Sequence, residues 1–489
     1  MYTFRDVREY MRNLSILTLL FLSLVGAATA QTTGKRPVII IPGISGSQIV
    51  NPATGKTVWF SVKRDKDDDL RLPMTSPILS DNRDTLVVKD IIREVELPVL
   101  PDVEVYKTLI DALKLRGYTE ADWNTPKTTD VFYVFPYDWR RDNVESAQLL
   151  IKRMSEVKQA AKDPQLKFDI IAHSMGGLIA RYAAMYGGAD LAGSGAPPKP
   201  TWAGAAHINK LMMFGTPNEG SFGSFEAILK GYTIITNRNL PFVDDFRPED
   251  VLSNPSVFQL IPHQSSARFL DENLRPLKVD IYNPDTWIKY RWGAIGDPKF
   301  LSKLKDANQL ALANTDIKAV PLAKDAGKDD RLLADTTYAQ LRAYFASVLD
   351  RAKRFHLALD APTKRSPVQL YAYGGNCAQT LDAVVLFQDK KKGRWTTLLD
   401  ARDIKTSRGR AIKKEAVKAA MFAIGDGRVT KRSLLAETPI GKDKGPVMKT
   451  IFPVTSSFFA CGTHYQLFLE KPIQDSFLSA LVVEKQKLP

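Results

Sequence analysis

The stretch "DIIAHSMGGLIARY", residues 169–182, sets Ser174 between a histidine and a methionine, with two glycines close behind. Mostly apolar residues lead into His173 and a helical pattern follows Gly177, so the serine falls on a sharp strand-to-helix turn. A serine hydroxyl is a poor nucleophile until a base takes its proton and a pair of donors receives the oxyanion formed on attack. An elbow of this kind supplies the geometry: the turn lifts Oγ clear of the sheet, and small residues such as Gly176 permit the strained backbone. Ala172 stands where such elbows usually carry their first glycine, a small-for-small exchange. The bland alternative is a serine that caps a helix, which asks nothing else of the chain. A nucleophile asks for an acid and a base further on.

Where this elbow is used, the three groups run along the chain as Ser, then Asp or Glu, then His. Only five histidines exist, and His464 alone lies in the C-terminal hundred residues. It sits in "TSSFFACGTHYQLFLE", between an apolar run and a final helix, where a base should be presented. His173 adjoins the serine but points away from its Oγ, and His207, His263 and His356 read as surface or packing residues. His464 is the expected base by elimination. For the acid, Asp426 lies between two glycines in "AIGDGRVTKRS", and Asp382 near the end of a strand is its rival. The glycines favour Asp426, because they let its carboxylate approach an imidazole closely. The oxyanion donors are expected to be the backbone N–H of Met175 and that of Ile44, in the loop "PGISGS". No spacing resembles a zinc site, so neither metal nor cofactor is expected. "NPATGKT" ends like a phosphate-binding loop, but Val50 occupies the place of its required glycine.

These groups need a scaffold. "RPVIIIPGISGS", "VFYVFPYDWR" (131–140), "KFDIIAH", "INKLMMFGTP" (208–217) and "PVQLYAYGGN" (367–376) are apolar runs of the kind buried on both faces of a parallel sheet. Between the second and third runs, Leu149, Ile151, Met154 and Val157 keep helical spacing, and Asp142 with Glu145 marks a helix start. Strands alternating with helices predict an α/β fold, a mostly parallel sheet with helices on both faces. The alternation stops after Ser221 and resumes near Thr363. That stretch holds one strong amphipathic helix, about 335–355, with Leu341, Tyr344, Phe345, Val348 and Leu349 on one stripe. We expect a core over 31–221 with a lid-like insertion at about 52–105, a cap over 222–365, and the rest of the core over 366–489.

Residues 1–30 read as a signal peptide. Arg12 is basic, Leu14 to Val25 is apolar, and Ala28-Thr29-Ala30 resembles a cleavage site. A mostly apolar run of twelve residues is too short to span a bilayer, so the expectation is export with cleavage near Ala30. An oxidising compartment would favour pairing of Cys377 and Cys461; two separate buried thiols fit the sequence equally well. The formal net charge is +14, and residues 389–450 carry 17 Lys and Arg against 7 Asp and Glu, which is ten of that fourteen. Such a stretch suits an anionic membrane surface. Nucleic acid is not an expected partner for an exported serine enzyme.

The chain resembles the lecithin:cholesterol acyltransferase family, with lysosomal phospholipase A2 and bacterial relatives. The matching pieces are "PVIIIPGISGSQ" with Trp59 following, "PYDWR" (136–140), "IIAHSMGG", "GTPNEGS" (215–221), "GDGRVTKRSL" and His464, in family order. The resemblance implies an α/β-hydrolase fold and a Ser174–Asp426–His464 triad. It also implies an oxyanion hole at Ile44 and Met175, a substrate-binding role for Trp59, and acyl transfer from a lipid ester to an alcohol or water. Two departures stand out. Residues 31–376 contain no cysteine, so the cysteine-closed lid of the animal enzymes has no counterpart, and Arg428 replaces a small polar residue. An esterase or depolymerase for non-lipid esters, and a catalytically silent binding protein, are the competing readings.

Overall fold

A computed structural model describes residues 34–482 apart from 62–68, 96–102, 232–245, 303, 305–336, 364, 390–392, 441–446 and 451–452. The expected signal peptide lies outside the described residues.

Seven parallel strands form the central sheet: β1 (Val38–Ile41), β2 (Thr119–Glu120), β3 (Val131–Val134), β4 (Phe168–His173), β5 (Ile208–Phe214), β6 (Gln369–Gly375) and β7 (Ser456–Ala460). Their spatial order is β7-β6-β5-β4-β1-β3-β2. All four residues of β1 are buried, which explains an apolar run without alternation. Ile39 and Ile41 pack into one core cluster, whereas Val38 and Ile40 pack into another on the opposite face. The first face is covered by α2 (Asn143–Ala160) and α3 (Met175–Tyr186). The second is covered by α1 (Lys107–Leu115) and by α6 (Lys471–Val482), which inserts Ile473, Phe477 and Leu481. This is an α/β-hydrolase fold.

Helix α2 starts where the sequence places it, with the Asp142 side chain accepting from the Val144 N–H. Strand β2 was not anticipated, because two exposed residues leave no pattern. The chain quits the sheet after Phe214 and returns at Gln369. Between them lie α4 (Phe222–Lys230) and α5 (Tyr338–Leu359), whose stripe of Leu341, Tyr344, Phe345, Val348 and Leu349 is buried. Helix α5 begins three residues later than expected, since Thr337 and Gln340 form a capping box there. His263 and His356 stack with ring centroids 3.9 Å apart in the buried seam beneath it. Near the N-terminus, Ser47–Val50 is the middle strand of a small antiparallel sheet with Thr57–Trp59 and Val87–Ile91.

Cys377 and Cys461 are bridged, 84 residues apart in sequence. They lie just past Gly375 and Ala460, the last paired residues of β6 and β7. A loop of that length corresponds to roughly 4 kcal/mol in the chain-entropy view of disulfides. The bridge fastens the start of the loop that carries His464 to the sheet edge.

Candidate active site

Strand β4 ends at His173, helix α3 begins at Met175, and Ser174 between them holds φ 52° and ψ −122°. That is a backbone region an L-residue occupies only when its surroundings impose it. The imposition comes from packing of α3 on the end of β1. A Cβ at Gly176 would lie 2.4 Å from the Pro42 carbonyl oxygen, so no other residue lets the helix come so close. The helix N-terminus leaves its first N–H groups without partners inside the helix, and Met175 supplies the first of them.

His464 reaches this serine from the loop after β7, and its Nε2 lies 3.0 Å from Ser174 Oγ. Its Nδ1 lies 2.8 Å from Asp426 Oδ2. The other carboxylate oxygen accepts from the N–H groups of Arg428, at 2.9 Å, and Val429, at 2.7 Å. Burial alone would push the Asp426 carboxyl up, but the imidazole and the two N–H groups outweigh it and hold it below the usual carboxylate value. An anionic Asp426 accepts from Nδ1–H, which leaves Nε2 as the acceptor for the Ser174 hydroxyl. Gly215 seals the pair from behind. At φ 57° a Cβ there would stand 2.9 Å from His464 Nδ1 and 3.0 Å from Asp426 Oδ2. The rival acid, Asp382, is elsewhere: Arg268 and Arg432 both bind its Oδ2.

The loop from Pro42 to Gly46 lies over the serine, with Ile44 at the cavity wall. Three side chains hold it. Tyr137 donates to the Pro42 carbonyl at 3.0 Å, Trp59 donates through Nε1 to the Ser45 carbonyl at 2.8 Å, and the Gly43 N–H donates to Tyr106 Oη at 2.7 Å. One expectation is corrected here. Trp59 does not line the cavity; it is 3 % exposed and packs behind it against Trp139 and Phe246. It therefore anchors the loop rather than touching substrate.

Neither ring nitrogen of His173 is spent on Ser174: one faces Tyr106 and the other the His464 backbone. Its surroundings nevertheless give it work. Tyr106 Oη lies 2.9 Å from His173 Nδ1, and His173 Nε2 lies 3.0 Å from the His464 carbonyl oxygen. Burial, then the neighbouring His464, pushes the His173 imidazole down to about 3, so it stays neutral. A neutral ring can accept from Tyr106 at Nδ1 and donate to His464 at Nε2. The relay Gly43–Tyr106–His173–His464 thus ties the loop carrying Ile44 to the loop carrying the base. Replacing Tyr106 by Phe strands the Gly43 N–H and the His173 Nδ1, each buried. We expect kcat to fall about 10- to 100-fold with KM within about threefold, since an unpaired buried group costs about 1–3 kcal/mol. A KM-dominated loss in steady-state kinetics would count against the relay.

These groups open on a cavity of about 910 Å³, near the upper end of the roughly 300–1,000 Å³ usual for ligand sites. Its walls are mainly apolar, with Ile44, Trp139, Phe246, Val257, Leu260 and Phe468 among them. A sequence model of the lecithin:cholesterol acyltransferase family matches residues 94–436, well over half of the chain.

The chain belongs to the lecithin:cholesterol acyltransferase family.

Membership makes it an enzyme of acyl-ester hydrolysis or acyl transfer. No curated protein matches the chain. Among solved structures, the Tle4–Tli4 complex is similar over 91 % of this chain and 97 % of that one, at 14 % identity and a TM-score of 0.51. The mature lipase BlEst2 of Bacillus licheniformis is similar over 93 % and 95 %, at 10 % identity and a TM-score of 0.28. EstA of Clostridium botulinum is similar over 93 % and 88 %, at 10 % identity and a TM-score of 0.31. At 14 % identity the first likeness speaks to fold alone. In the family frame, "PYDWR" holds the site together: besides Tyr137, Trp139 donates to the Ser47 carbonyl at 3.2 Å, and the buried Arg140 pairs with Asp138 and Asp84.

Proposed function

We propose that this chain cleaves a lipid ester of phospholipid type through an acyl-enzyme on Ser174 and passes the acyl group to an alcohol or to water. The observation that carries the reading is the hydrogen-bonded line Asp426–His464–Ser174 at the wall of an apolar cavity. Ser174 Oγ attacks the ester carbonyl while His464 Nε2 takes its proton, and Asp426 stabilises the imidazolium that results. The N–H groups of Ile44 and Met175 receive the oxyanion. His464 then returns the proton to the leaving alkoxide, and an incoming alcohol or water repeats the cycle in reverse. A mainly apolar wall favours an acyl chain over a polymer or a small polar ester, and the complete Ser–His–Asp line argues against a silent binding protein. A fluorophosphonate probe tests the reading in one step. It should label one residue, and tryptic mass mapping should put the adduct on Ser174. Labelling elsewhere, or none, would sink it.

We further propose that the protein acts outside the cytosol at an anionic lipid surface. The support is the signal-like residues 1–30 and the ten net positive charges of residues 389–450, a stretch that includes the acid loop. Each basic residue near such a bilayer is worth about 1 kcal/mol, fading within a Debye length of about 10 Å at 0.1 M salt. In vesicle sedimentation, binding should be tighter to anionic than to neutral vesicles and should weaken as salt rises. Equal, salt-independent binding to both would refute the electrostatic part.

A further inference from the structure

Arg428 is the only Lys or Arg among the described residues lining the cavity, and it enters from the acid loop. Its backbone is pinned on both sides: the N–H donates to Asp426 Oδ1 at 2.9 Å, and the carbonyl accepts from Ser221 Oγ. From that root the side chain passes Gly223, where a Cβ would stand 3.6 Å from Arg428 Cδ. The guanidinium carbon comes to rest 5.9 Å from the ring centroid of Tyr465. Tyr465 in turn meets the His464 ring edge-on, with centroids 5.4 Å apart and planes at 87°. Arg428 is half-buried and Tyr465 is 40 % exposed. The positive charge therefore sits at the watery rim of the cavity, two residues from the acid and over the ring of the residue that follows the base.

A guanidinium held this way has a specific use. Its planar fork matches phosphate and carboxylate oxygens in pairs, and an aromatic ring beneath it narrows the positions it takes up. Partial removal from water strengthens its attraction to an anion relative to a neutral ester. We propose that Arg428, steadied by Tyr465, is a specificity-determining residue that binds a phosphate carried a few bonds from the scissile ester. The site then prefers acyl esters of phosphorylated glycerol to neutral glycerides. This rests on the lipid-ester reading above and names the charged half of its substrate. Arg428 is the binding residue and Tyr465 a positioning residue.

The test uses the full mature chain and three dibutyryl glycerol esters kept monomeric, so that adsorption to an interface plays no part. One carries a phosphate, one a hemisuccinate, and one a free hydroxyl. The readout is the ratio of kcat/KM for the phosphate ester to that for the neutral one. Arg428→Gln should lower this ratio roughly 10- to 100-fold, the usual range for losing a hydrogen bond to a charged group. Arg428→Lys, which keeps the charge but not the fork, should restore part of it. Tyr465→Leu should lower it several-fold through KM. An unchanged ratio in Arg428→Gln, or equal losses on all three esters, would overturn the proposal, as would equal dependence of the hemisuccinate and phosphate esters on Arg428. If the probe labels Ser174 but the phosphate ester is not turned over, this proposal fails and the serine chemistry stands. If nothing is labelled, both fail.

Discussion

Changing Ser174 to Ala is expected to reduce ester turnover by about 10⁶-fold, the usual cost of removing the nucleophile from a group that acts as a unit. What is left is the oxyanion pair and the cavity, which bind and polarise an ester but cannot form an acyl-enzyme. The variant should fold as the parent does. Ala at this position meets the same backbone constraint as Ser at φ 52°, and among the described residues Ser174 Oγ makes one side-chain hydrogen bond, the 3.0 Å contact to His464 Nε2. Losing one hydrogen bond costs about 1 kcal/mol, a shift of about 1 °C for a chain of this length. The checks are turnover of a chromogenic butyrate ester and thermal melting on the same preparation. More than a few per cent of parental activity in a variant that melts normally would remove Ser174 from the mechanism.

How much of this could be read from the chain alone depended on how local each signal was. The elbow around Ser174 is local, because strand, turn and helix are written in consecutive residues and Gly176 is needed on the spot. His464 became legible through scarcity, one histidine in the right place out of five. Asp426 was separable from Asp382 only by its flanking glycines, and the packing reason appears in three dimensions: Gly375 and Gly215 both crowd Asp426 or its partner. What the sequence hid was everything that depends on distant segments meeting. Tyr106 sits 67 residues before His173 and touches it only because α1 packs beneath β1 and β4. Nothing in "EVYKT" announces that. The place of Trp59 was hidden for the same reason, since only the fold shows Trp139 and Phe246 enclosing it behind the cavity wall. Arg428 was visible as a departure from the family pattern, but its use required Tyr465 to be brought alongside.

The second large effect is expected for Asp426→Asn, about 10⁴-fold in kcat with KM nearly unchanged. The reason lies in which oxygen the amide must imitate. Asp426 Oδ1 accepts two backbone N–H bonds, from Arg428 and Val429, so the carbonyl oxygen of Asn will take that position. Its NH₂ group then faces His464 Nδ1, which must accept rather than donate. The ring proton is driven to Nε2, and Nε2 can no longer take the proton of Ser174. The site keeps its shape and loses its base. Asp382→Asn is the informative partner, because its carboxylate pairs with Arg268 and Arg432 and its loss should lower stability while kcat stays within a few-fold. Steady-state kinetics on both variants decide the assignment. Should Asp382→Asn cost 10⁴ and Asp426→Asn almost nothing, the acid would have to be sought at Asp382, and the 2.8 Å contact between Asp426 and His464 would be no more than a structural tether for the base loop.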